Sequence, residues 1–267
     1  MSVPFSSPGF IDRLYSTEDR LKHRTSALLC AKIAGRNPVD DGIHFLHKFG
    51  RATPTYIADI GCGRGSSTDK IAQRLAPERL YAFDRSAAMV QATLAGVGSQ
   101  KVEGIVGDFH KLPFEAGYLS GSLLAFCLYH SDVPGEVVEE VLRCTRAEGV
   151  CVLVTKSIES YAEIDTYIGR AGLNERSSGG VYSSFSSENA VDIVRSVASV
   201  LQITEDKSVF HYPNADHLLA YLQTSPVYAD DIAKNPADFA TVLRAAWPND
   251  GLRVTSRTTV IACKKET

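Results

Sequence analysis

Short apolar stretches recur along this chain, separated by segments whose apolar residues are spaced three and four apart. The stretches at 56–60, 80–84, 102–106, 122–127 and 150–155 are rich in aliphatic and aromatic residues and predict strands, the central ones buried on both faces. Between them, Ile71 and Leu75, then Met89 and Val90, then Val137, Val138, Val141 and Leu142 mark helix faces; Pro77 and Gly149 stop the first and last of these helices. Strand and helix alternate through short connections, which predicts a parallel, doubly wound α/β sheet. Upstream, residues 1–50 read as a loop and two helices. Leu28, Leu29, Ala31 and Ile33 form one face, broken at Asn37-Pro38, and a second helix runs from about 41 to 49. Downstream, two helices are expected at about 157–172 and from the candidate cap Ser187 onward. A strand at 201–212, a helical insertion at 215–247 and a last strand at 252–263 complete the pattern.

The first strand runs into Asp59-Ile60-Gly61-Cys62-Gly63-Arg64-Gly65-Ser66. Alternating glycines after a strand allow positive φ and close approach of a ligand to the main chain. The hydroxyl residues that follow can open a helix whose free N–H groups favour an anionic ligand group. A dinucleotide loop wants Gly-x-Gly-x-x-Gly, and Ser66 stands at its third glycine; a phosphate-cradling loop wants Gly-Lys-Ser/Thr, and no glycine precedes Lys70.

The strand tips beyond carry further candidates. Asp84 ends the second strand 19 positions after Gly65, near the spacing at which a carboxylate meets ribose hydroxyls; a solvent-exposed strand-end aspartate is the alternative. Met89 can pack on an adenine or in the core. Asp108 can accept from an adenine amino group with Phe109 beside the ring, or can simply cap a turn. Tyr129 and His130 follow the fourth strand, where open α/β sheets place their ligands. His44 and His47 share a helix face, but no carboxylate or cysteine cluster completes a metal site, so no metal is expected.

Composition narrows the picture slightly. A length of 267 residues fits one α/β domain with insertions, and a net charge of -3 lacks the basic footprint of a dedicated nucleic-acid binder. Six cysteines form no Cys-x-x-Cys pair and read as small buried hydrophobes of a cytoplasmic protein. No run approaches membrane-spanning length.

Asp59-Ile60-Gly61-Cys62-Gly63-Arg64-Gly65 resembles the first motif of class I S-adenosylmethionine-dependent methyltransferases. Asp84-Arg85-Ser86 with Met89 resembles the second, Gly107-Asp108-Phe109 with Leu112-Pro113-Phe114 the third, and Leu128-Tyr129-His130 the fourth. Gly121-Ser122 and Ala147-Glu148-Gly149 depart from the family pattern at strand four and before strand five. The resemblance implies a seven-stranded, mostly parallel, Rossmann-like sheet whose last strand is antiparallel. It implies S-adenosylmethionine at Gly61, Gly63 and Gly65, its amino group oriented by Asp59, its ribose held by Asp84 and its adenine by Asp108 and Phe109. Arg85, Met89 and Cys127 line the same cofactor site in this reading, and Tyr15 is either a lid aromatic or a surface or staple tyrosine. The implied division is an N-terminal helical lid at 1–50, a cofactor-binding core at 51–157 and substrate-side helices with the last two strands at 158–267. The expected activity is methyl transfer to a small-molecule acceptor, with His130 as base and Tyr129 orienting substrate. His130 as a structural histidine, an RNA methyltransferase, a non-catalytic cofactor-binding partner protein and a nicotinamide oxidoreductase, the last disfavoured by the glycine spacing, are the competing readings.

Overall fold

The computed structural model of the chain describes residues 18–50, 55–98, 101–173 and 178–266. Helix α1 (Glu18–Ala31) runs directly into a short strand, β1 (Lys32–Ala34), and α2 (Pro38–Phe49) follows. Here the expectation is corrected in two places. Ile33 belongs to a strand rather than to the helix, and Asn37-Pro38 opens a helix instead of only ending one. The Asn37 side chain accepts from the Val39 N–H and Pro38 occupies the first turn, where its missing N–H costs nothing.

The central units follow the expected alternation: β2 (Tyr56–Ile60), α3 (Ser66–Leu75), β3 (Arg79–Asp84), α4 (Ala87–Gly96), β4 (Val102–Val106), β5 (Leu119–Ala125), α5 (Pro134–Cys144) and β6 (Thr145–Lys156). Beyond them lie α6 (Ala162–Arg170), α7 (Ala190–Arg195), β7 (Ser199–Tyr212), α8 (Ala215–Leu222), α9 (Ala229–Lys234), α10 (Pro236–Ala245) and β8 (Leu252–Lys264). Helix α7 starts after Asn189, and the hydroxyl of the expected cap Ser187 is buried without a partner.

One sheet of eight strands results, in the order β1-β7-β8-β6-β5-β2-β3-β4. Strands β2 to β6 pair in parallel, while β8 is antiparallel to both β6 and β7. The seven expected strands are all present, the last of them antiparallel as expected. The eighth is β1, which pairs Lys32 with Phe210 and Ala34 with Val209 at the β7 edge.

Both sheet faces are covered. Val137, Val138 and Val141 of α5 pack on Ala58, Leu124 and Leu153 on one side, while Ile43, Leu46 and Ile71 pack on Ile57, Leu123 and Val152 on the other. A third cluster, with Tyr161, Ile164, Tyr212, Leu218 and Leu243, lies under α6, α8 and α10. The strand order reverses between β2 and β5, so the crevice beyond their carboxyl ends is the ligand position this topology creates. A small cavity of about 200 Å³ lined by Ala72, Ala76, Pro77, Leu80 and Lys101 lies instead at the amino end of β3, away from that crevice.

Candidate active site

Strand β2 is buried from Ile57 to Ile60 and turns at Gly61, where φ is +73°; Gly63 and Gly65 follow at +55° and +82°. A Cβ on Gly61 would lie 2.6 Å from Cys127 Cβ, and one on Gly65 2.7 Å from Thr93 Cγ2. Packing therefore requires glycine at both. Gly63 is different, since a Cβ there would meet only Leu21 Cδ2 of α1, at 3.6 Å. The middle of the loop is open, with the N-terminal helix passing over it.

Asp59 is fully buried beneath this loop. Ser67 and Thr68, in the first turn of α3, donate their hydroxyls to Asp59 Oδ2 at 2.7 and 2.6 Å, fastening helix to strand. Oδ1 is buried without a partner and keeps its acceptor capacity. Burial pushes the Asp59 carboxyl up to about 6, although the two hydroxyls pull it down; the neighbouring Asp84 charge pushes it further up. Because the folded value lies above the unfolded value of about 3.9, the folded protein retains a proton that the unfolded chain releases. Stability associated with Asp59 is therefore fully present below about pH 4 and declines as pH rises to about 6, by up to roughly 3 kcal/mol. In Asp59→Asn that decline is expected to disappear, and urea melts of both proteins at pH 4 and pH 7 would show it. An unchanged slope in the variant would rule out Asp59 as its source.

Asp84 ends β3 facing the loop. Its Oδ2 accepts the Gly63 N–H at 2.9 Å and its Oδ1 the Ser86 N–H at 2.9 Å. Burial raises the carboxyl, and the Ser86 and Gly63 amides counter it. Each oxygen retains further lone pairs, so a vicinal diol can still be accepted. Ser86 caps α4 by accepting the Met89 N–H, and Met89 itself is a core residue, 1% exposed. Arg85 lies half-exposed with Nη1 3.7 Å from Asp108 Oδ2.

Asp108 makes a local turn. The His110 N–H donates to Asp108 Oδ1 at 3.0 Å, and the His110 ring Nδ1 lies 2.6 Å from the same oxygen. Burial works to raise this carboxyl, but His110 and Arg85 together outweigh it and hold it below its ordinary value. Phe109 is half-buried, edge-on to the His110 ring at 4.8 Å. The far side of that ring, Nε2, sits 2.9 Å from Ser131 Oγ, which also accepts the Val133 N–H at 3.0 Å. His110 thus clasps the loop after β4 to the loop after β5. Sequence reasoning passed over both His110 and Ser131, whose only signal was their position beyond strand ends.

Cys127 joins the fourth strand to the glycine loop. Its thiol donates to the Ile60 carbonyl at 3.3 Å, and burial pushes its pKa well up, which fits packing and not nucleophilic chemistry. The preceding Phe126 adopts φ +59°, uncommon for a bulky residue, and this reverses the chain at the sheet's crest. The next residues, Leu128–His130, form one 3-10 turn in which the His130 N–H donates to the Cys127 carbonyl at 3.0 Å. The Tyr129 ring is largely buried, 4.6 Å from the His130 ring and edge-on to Tyr182 at 4.9 Å. His130 is half-buried at the same crest. The structure brings Asp59, the three glycines, Asp84, Met89 and Cys127 to one end of the sheet, with Arg85, Asp108 and Phe109 at its β4 side and Tyr129 and His130 at its β5 side. Tyr15 lies outside the described residues.

These features fit an adenosyl cofactor: an open Gly63, an acceptor left over on Asp59, and a carboxylate at the tip of β3. Residues 58–153 match a family model described as a methyltransferase domain. Among solved structures, the chain resembles one assigned as a type II methyltransferase of Anaeromyxobacter dehalogenans, with a TM-score of 0.59, 21% identity, and coverage of 87% of this chain and 98% of that one. It also resembles a structure assigned as a methyltransferase of Bacillus halodurans C-125, with a TM-score of 0.57, 14% identity, and coverage of 84% and 99%. A third is the geranyl diphosphate C-methyltransferase of Streptomyces coelicolor A3(2) in complex with Mg2+, geranyl diphosphate and S-adenosyl-L-homocysteine, with a TM-score of 0.50, 15% identity, and coverage of 85% and 79%. No curated protein matches the chain. Motif, sheet order and domain match agree: residues 58–153 are a methyltransferase domain, for which S-adenosylmethionine is the cofactor, set in a Rossmann-like, mostly parallel sheet.

Proposed function

We propose that the chain methylates a small molecule held beyond the carboxyl ends of β5 and β6. The observation that carries this reading is the Cys127 thiol bond to the Ile60 carbonyl, at 3.3 Å. It fixes the start of the Tyr129–His130 turn against the glycine loop, so acceptor-side residues stand beside the cofactor-side ones. Phe126, Tyr129 and Tyr182 bring aromatic rings to this crest, Tyr129 edge-on to Tyr182 at 4.9 Å, and such surroundings suit a compact organic acceptor. The net charge of -3 gives no electrostatic footprint for a nucleic acid, and no helix among the described residues is long and apolar enough to cross a membrane.

In this assignment Asp84 holds the ribose diol, Asp59 the amino end, and Asp108 with Phe109 the adenine. The bound cofactor supplies a methyl group already activated by its sulfonium. The chain's own task is placement, and well-aligned placement is worth roughly 7–11 kcal/mol. His130 serves as base for an acceptor that carries a proton, and Tyr129 packs behind it and sets the position of the turn.

Incubating the protein with S-adenosylmethionine and pools of small hydroxyl, amine and carbon-acid compounds, with RNA as a parallel arm, tests the assignment through S-adenosylhomocysteine release. Product from a small-molecule pool is expected; product from RNA alone would contradict it. Once an acceptor is known, His130→Ala is expected to leave S-adenosylhomocysteine affinity within twofold and to lower kcat by roughly 100-fold or more. Unchanged kcat would remove His130 as the base.

A further inference from the structure

At the end of β6 stands a lysine that the cofactor assignments do not use. Lys156 Nζ lies 5.2 Å from the centre of the Phe126 ring, 4.8 Å from that of Tyr161 and 5.8 Å from that of Tyr182, and donates to the Tyr161 hydroxyl at 2.6 Å. Three aromatic rings thus converge on one ammonium, two of them from 26 and 30 positions away, and Arg24 of α1 adds positive charge to the same group of residues. Among the described residues no carboxylate makes an ion pair with Lys156. Lys70, by contrast, is held by Asp40 at 2.6 Å. Burial without a carboxylate lowers the Lys156 pKa from its ordinary value. Tyr161 stays a phenol, its pKa pushed up to about 12 by burial.

The cage is also held in unfavourable backbone. Phe126 and Tyr161 have φ of +59° and +71°, and Ala76 is the remaining non-glycine residue with positive φ among those described. Such conformations are costly for non-glycine residues and persist where the surroundings impose them, often at ligand sites. Phe126, Lys156 and Tyr182 are each only half-buried and so keep some contact with solvent. In the sheet order, β6 lies two strands from β2, about 10 Å from the glycine loop at ordinary strand spacing.

Resting on the methyl-transfer reading above, we propose that Lys156, framed by Phe126, Tyr161 and Tyr182, binds an anionic oxygen group of the methyl acceptor, a carboxylate or a phosphate. A partly buried ammonium that lacks a carboxylate gains most from an anionic ligand, because a charge-assisted hydrogen bond replaces lost hydration. The rings hold the ammonium by cation–π attraction until the ligand arrives and offer their faces to its organic body. A sulfonium at the glycine loop would add another positive charge to the crevice, and an anionic acceptor would offset both.

The test is calorimetry on the protein with and without S-adenosylhomocysteine, using benzoate, phenyl phosphate and the uncharged benzamide as probes. Wild type is expected to bind at least one anion at least tenfold more tightly than benzamide, and which anion binds identifies the acceptor group. Lys156→Met should abolish that preference while keeping S-adenosylhomocysteine affinity within twofold, and Lys156→Arg should restore a preference. Equal binding of the three probes by wild type would overturn the proposal whatever the variants do, as would an undiminished preference in folded Lys156→Met. Failure of wild type to take up S-adenosylhomocysteine would instead sink the methyl-transfer reading, and the benzoate–benzamide comparison on the same sample would still decide this site.

Discussion

Asp84→Ala is expected to weaken S-adenosylhomocysteine binding by roughly a hundredfold or more. A hydrogen bond to a charged group contributes about 1.5–3 kcal/mol, and two ribose hydroxyls meeting one carboxylate therefore account for at least about 3 kcal/mol. Each 1.4 kcal/mol is a factor of about ten in affinity. The same carboxylate also accepts the Gly63 and Ser86 amides at 2.9 Å, so its removal releases the middle of the glycine loop as well. Asp84→Asn separates the two effects. It keeps one carbonyl acceptor and the side-chain shape but loses the charge, and an intermediate loss of affinity is expected. Calorimetric titration of both variants is the measurement, with thermal melts to verify folding. Affinity unchanged in a folded Asp84→Ala protein would refute the ribose assignment.

The second large effect is expected from Gly61→Ala. An alanine there would be held at φ +73°, costing about 1–2 kcal/mol, and its Cβ would sit 2.6 Å from Cys127 Cβ. Neither atom can move cheaply, since the Cys127 thiol is tied to the Ile60 carbonyl at 3.3 Å. Overpacking of this kind adds about 1–3 kcal/mol. The sum corresponds to a fall in Tm of roughly 5–15 °C for a domain of this size, together with loss of cofactor binding as β2 and β5 are pushed apart at their tips. Gly96→Ala is the matched control. It lies at the end of α4 with nothing within 4 Å of an added methyl and is not in the left-handed region. No change in Tm is expected there. Equal melting of Gly61→Ala and Gly96→Ala would show that the turn at Gly61 is not constrained as the geometry requires.

The parts of the site that could be read in the sequence are those encoded by local pattern. The glycine spacing after β2 and the acidic residues at the ends of β3 and β4 follow from strand period and turn chemistry, which short stretches of sequence carry. The rest depends on partners far along the chain. Strand β1 is three residues long and exists because Lys32 and Ala34 find Phe210 and Val209, more than 170 positions away, so its local pattern read as helix. His110 became visible as a clasp only when the loops after β4 and β5 were seen together. The cage around Lys156 draws on the ends of β5 and β6, the start of α6 and the turn at Tyr182, and its left-handed residues are aromatic, not glycine. The fold was legible because alternation of strands and helices is a repeated local signal, whereas the acceptor side is assembled from single residues brought together by the sheet.

Most direct is calorimetry with S-adenosylhomocysteine on protein first freed of bound ligand by unfolding and refolding. One site per chain, competed by S-adenosylmethionine and weakened in Asp84→Ala, is the result this account predicts. A correctly refolded protein that takes up neither compound would contradict it.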